Sequence, residues 1–141
     1  MKKIFLGAAM FFAIQSGFAQ SQDAKTFVAN MGIKQQLDGA KEQILPSIEK
    51  GKEADFTKEF DAVVTDFTAT FSKLVDENYD MVLVKEANKK FAETKEMTQV
   101  MPKDAVAFQE KVNNMQNEIG MSLQGLVMKY ADKAALEAAQ E

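Results

Sequence analysis

Asp76, Asn78 and Asp80 stand at alternate positions in Asp76-Glu77-Asn78-Tyr79-Asp80, the spacing of the first three oxygen ligands in a twelve-residue calcium loop. That loop also needs glycine at its sixth position and a bidentate glutamate at its twelfth. This chain has Met81 and Ala87 there, so the cluster reads as a solvated turn between helices. Met97 and Met101 lie one helical turn apart, as a thioether pair for Cu(I) would. Copper sites of that kind gather several methionines, often with histidine, and the chain has no histidine. Met115, Met121 and Met128 fall on or beside an apolar stripe and read as flexible core filler. Ser47, Ser72 and Ser122 are nucleophiles without a partner, because only lysine is present to act as base. Carboxylate pairs could serve glycoside chemistry, but with 21 acidic residues their presence alone discriminates nothing. Glu86 with Lys89 and Lys90 has the spacing of surface ion pairs. The sequence therefore predicts no catalytic residue, no cofactor and no metal site, and a protein that is not an enzyme.

Composition narrows the partners. All 17 basic residues are lysine, against 21 acids, for a net charge of −4. Nucleic-acid binding needs clustered positive charge and usually arginine for reading bases, so no nucleic-acid partner is expected. An acidic surface also disfavours anionic membranes. Histidine, cysteine and tryptophan are absent, which removes disulfides and the side chain best suited to proton transfer near neutral pH.

The first residues have the pattern of a cleavable secretory signal. Lys2 and Lys3 form a positive start, Ile4 to Ile14 is an apolar run, and Gly17-Phe18-Ala19 puts small residues at −3 and −1. The apolar run is shorter than the roughly 20 residues of a spanning helix. Residues 1–19 are thus expected to be removed between Ala19 and Gln20, leaving no stable membrane anchor. Residues 20–141 then form a single helical domain, exported to the periplasm or the extracellular space. Its stability must come from packing without disulfides.

The rest of the chain is rich in helix formers, and its only prolines are Pro46 and Pro102. The spacing predicts an all-α fold, a small antiparallel bundle of four to five helices. The first spans Gln22 to Asn30, with Ser21 as N-cap and Gly32 past its end. The second spans Ile33 to Lys50 with Ile33, Leu37, Ala40, Ile44 and Ile48 on one face, kinked by Pro46 and stopped by Gly51. A third, capped by Asp55, carries Phe56, Phe60, Val63, Phe67, Phe71 and Leu74 at intervals of three and four. After a break at Asp76-Glu77-Asn78, a fourth places Tyr79, Leu83, Ala87, Phe91 and Thr94 on one face and ends near Val100. Pro102 opens a fifth that runs to Ala131, with a stripe from Phe108 through Val112, Met115, Ile119, Leu123 and Leu126 to Tyr130.

Phe56, Phe60, Phe67 and Phe71 are the strongest apolar feature. Their spacing is that of a core face, and the functional alternative is an apolar binding surface for acyl chains or unfolded polypeptide. The segment Asn88-Lys89-Lys90-Phe91-Ala92-Glu93-Thr94-Lys95-Glu96-Met97-Thr98-Gln99, with the Asn30-Met31-Gly32 turn, resembles an exported family of Gram-negative bacteria. That family is a domain of unknown function built as a small helical bundle. Val82-Leu83, Lys85-Glu86 and Asn88 stand where it has Phe-Tyr, Ser-Pro and Gly. The resemblance implies a signal peptide and a bundle, and it assigns no activity and no functional residue. The expected role is a non-enzymatic binding or interaction module of the cell envelope, with a protein, an unfolded client or a lipid as partner. The alternatives are a homo-oligomer formed through the last helix and a carboxylate-based enzyme.

Overall fold

The computed structural model describes residues 21–138. The segment expected to be a secretory signal, with its Ala19–Gln20 junction, lies outside them. Among the described residues the chain forms six helices: α1 (Gln22–Asn30), α2 (Ile33–Ile44), α3 (Glu53–Asn78), α4 (Met81–Thr94), α5 (Ala105–Tyr130) and α6 (Lys133–Ala138). The only β pairing among them is an isolated antiparallel bridge between Ile48 and Ala131. No described helix is long and apolar enough to cross a membrane.

Cap chemistry sets most boundaries. The Ser21 hydroxyl accepts from the Ala24 amide at 3.2 Å and donates to Asp76 at 2.7 Å, so one side chain starts α1 and ties it to the end of α3. Gly32, with φ 71°, makes the left-handed turn into α2. Pro46 does more than kink the second helix. It ends it in a 3₁₀ turn, Leu45–Ser47, after which the chain is extended at Ile48. Asp55 lies inside the first turn of α3 rather than at its cap, which is Lys52 without a side-chain bond. Asp80 caps α4 by accepting from Val82 at 2.9 Å, and Asp104, not Pro102, caps α5 by accepting from Ala107 at 3.0 Å. α4 stops at Thr94, short of the expected Val100, where Lys95 turns left-handed with φ 61°. The segment after Lys95 is held back on α3 by the Lys103 amide donating to the Asn78 carbonyl at 2.7 Å.

α3 is the spine. It pairs antiparallel with α5, so that Phe56 meets Tyr130 at one end and Tyr79 meets Phe108 at the other. α1 and α2 lie end to end along α3, and α4 crosses α1. Asn88 fixes that crossing by donating to the Asp23 carbonyl at 2.8 Å and accepting from Asn30 at 3.2 Å.

The core is divided in two along the spine. One part gathers Phe27, Phe71, Val75, Tyr79, Val84 and Phe108 among α1, α3, α4 and α5. The other holds Ile48, Phe56, Phe60, Val64 and Tyr130. At its edge Tyr130 donates to Glu59 at 2.6 Å, and Lys129 bonds the same carboxylate at 2.7 Å. Lys129 foremost, then Tyr130, hold the Glu59 carboxyl below its ordinary 4.5. The Glu59 carboxylate in turn raises the Tyr130 phenol above 10.0. A lowered acid stabilises the fold above its ordinary value and loses that effect as pH falls through the lower folded one. A raised phenol stabilises below its ordinary value and loses the effect as pH rises through the higher one. Glu59→Gln should therefore flatten the acid limb of a stability-against-pH curve measured by urea titration. An acid limb identical to that of the parent would show that this cluster carries no linkage.

Candidate apolar binding groove

The four stripe phenylalanines separate into two groups. Phe56 and Phe60 have no exposed surface and Phe71 only 8%, so these three are core and not an exposed binding surface. Their ring contacts account for that. Phe56 and Phe60 lie 5.6 Å apart between centroids, and Phe71 reaches Phe108 at 6.3 Å. Phe67 differs. It is only half-buried, stacked on Phe71 at 6.2 Å with planes 6° apart.

Phe67 and Phe71 floor a groove of about 360 Å³ between α2 and α5. Ile33 and Leu37 of α2 form one wall, Val112 and Ile119 of α5 the other, with Gln36 and Gln116 exposed at the rim. Every apolar lining residue except Phe71 is half-buried, because α2 and α5 both lean on α3 without closing on each other. No titratable side chain lines the groove. Its volume lies at the lower end of small-molecule sites, about 300–1,000 Å³. An adjoining recess of about 190 Å³ shares Phe67 and Ile119.

The wall residues were legible as members of the α2 and α5 stripes. The gap between those stripes was not, since it depends on how far apart two helices stand on a third. Gln36 and Gln116 carried no signal that would mark them as a rim.

The other candidates are occupied or dispersed. Asp76 serves Ser21, Asp80 caps α4, and Asn78 donates to the Leu74 carbonyl at 2.7 Å, so the acidic cluster works as helix-end chemistry. Among the described residues no group of three or more acidic side chains is arranged to hold a metal. Met97 and Met101 lie in the extended segment after α4 and are not a helical pair. Met115 is core, but Met121 and Met128 are each 67% exposed, which corrects their reading as core filler. Ser72 is buried and donates to the Thr68 carbonyl, and Ser47 to the Ile44 carbonyl. Among the described ion pairs none joins Glu86 to Lys89 or Lys90.

A larger recess of about 430 Å³ opens between α4 and the segment after it, lined by Leu83, Ala87, Val100 and Met101. One of its walls is not helical, and helices hold a site more precisely than a loop does. The groove over Phe67 is walled by helices on both sides. No protein-family model, curated protein or solved structure matches this chain.

Proposed function

We propose that this protein is a non-enzymatic binding module of the cell envelope, exported by its N-terminal signal, whose groove between α2 and α5 takes an apolar chain. The observation that supports it is the set of half-buried apolar side chains around Phe67 with no titratable group among them. A site built that way offers desolvation and shape but no proton donor or acceptor, which favours holding over turnover. Native mass spectrometry on protein purified without detergent tests it. Adducts in the mass range of single-chain lipids are expected, and a bare protein mass together with no uptake of added dodecanol would sink the reading.

A second reading, a homo-oligomer through α5, is favoured by a different face. The stripe from Phe108 to Tyr130 is taken up by α3, but the outward face carries exposed Met121 and Met128 beside Gly120 and Gly125. Nothing lies within 4 Å of where a β-carbon would stand at either glycine, so the fold of one chain does not require them. Gly125→Ala should therefore stabilise the monomer by about 0.5–1 kcal/mol, the usual gain at a helix interior. If α5 packs closely on a second copy, the same change weakens the dimer. Light scattering at micromolar concentration separates the cases. A single-chain mass for the parent, with Gly125→Ala simply more stable to urea, overturns the oligomer.

A further inference from the structure

α2 is unusual among the long elements because it has no buried residue at all. It hangs between two points where the backbone can turn: Gly32 with φ 71° before it, and the Pro46 3₁₀ turn after it. The residues flanking this span are firmly seated, with Val28 3% and Ile48 5% exposed. What holds α2 down is a half-buried face and one ion pair to the spine, Lys41 to Asp61 at 2.6 Å.

An open recess flanks α2 on each side. The Phe67 groove is on one side, and a second recess of about 360 Å³, between α1, α2 and α3, is on the other. The second differs in chemistry. Its floor is Val28, Ala29 and Ala69, but Lys25 and Lys34 line it with the hydroxyls of Thr65, Thr68 and Ser72. Those hydroxyls already donate to helix carbonyls, so the lysines are the groups left to meet an anion. Lys34 pairs within its own helix with Asp38, whereas Lys25 makes no ion pair among the described residues. In a chain of net charge −4, the Lys25 ammonium beside an apolar floor, with the Asp38-paired Lys34 next to it, forms a local site for an anionic head.

We propose that α2 is a movable wall, and that lifting it joins the two recesses, which share no lining residue in the closed form, into one trough for a free single-chain carboxylate amphiphile. Its head lies at Lys25 and Lys34, and its tail passes under α2 to Phe67. This rests on the groove reading above and adds the ligand class and the route of admission. Lifting α2 breaks the Lys41–Asp61 pair and draws the half-buried Ile33, Leu37 and Ile44 off the core, uncovering the Phe60 ring beneath Lys41. The entering alkyl tail offsets that loss by covering the same apolar surface. The uncharged end accepts methylene groups, and the lysine end supplies what a carboxylate leaving water requires.

Hydrogen exchange and binding on the intact protein test both parts. Amides of α2 should be at least about 100-fold less protected than those at the centre of α3, and dodecanoate should slow them. Dodecanoate should bind at least about tenfold more tightly than dodecanol, with Lys25→Gln/Lys34→Gln removing that preference and leaving dodecanol unchanged. Equal protection of α2 and α3 overturns the movable wall. Equal binding of the two probes overturns the head-group assignment while the groove reading stands, and binding of neither overturns the groove reading with it.

Discussion

Phe60→Ala should lower stability by about 3–5 kcal/mol, the range for removing a fully enclosed aromatic side chain. The ring has no exposed surface, touches Phe56 at 5.6 Å and lies beneath the Lys41 ammonium at 5.8 Å. The smaller core has Ile48, Phe56, Val64 and Tyr130 as its other buried members, and the half-buried Leu37, Leu123 and Leu126 around them are held on α2 and α5, so the void closes only in part. Domains of this size are stable by about 5–15 kcal/mol, which makes this a large share. The melting temperature should fall by about 10–20 °C. Urea titration with an unchanged slope is the measurement, and a loss below about 1 kcal/mol would show that the ring is not enclosed.

Phe67→Asp should do the opposite: little to the fold, much to the groove. Phe67 is half-buried and faces the opening, so its replacement removes one stacked contact and should cost about 1–2 kcal/mol. A carboxylate on the floor must be desolvated by any alkyl chain that settles there. Dodecanol affinity should fall at least about tenfold, or about 1.4 kcal/mol, read by calorimetric titration. Unchanged affinity with an intact fold would remove Phe67 from the site. Together the two variants separate a core phenylalanine from a groove phenylalanine about two turns along one helix.

That separation marks the limit of what the sequence makes legible. The Phe56-to-Phe71 stripe is visible as a buried face because helical spacing alone requires one. Which member of it stays half-open depends on where α2 and α5 sit, and neither position is encoded near Phe67. Local rules worked where the deciding atoms are close in sequence, as with Ser21 capping α1 and Gly32 turning the chain. They failed at Lys95, where the helix ends without glycine or proline, and the returning strand of backbone is tied to Asn78 instead. Asp55 failed as a cap for a similar reason: α3 begins one turn earlier, with Glu53 accepting from the Gly51 amide at 2.7 Å. Lys25 and Lys34 gave no sign of belonging to one recess, since the turn at Gly32 that brings them together reads only as punctuation.

The division of the core along α3 has a consequence for how heat takes the molecule apart. α3 and α5 each have 26 residues, about 39 Å of helix, and each runs through both clusters. Neither cluster has a spine of its own, so when one loosens, the helices that support the other lose their packing as well. Differential scanning calorimetry should accordingly record one endotherm, with the measured enthalpy equal to the value derived from the steepness of the transition.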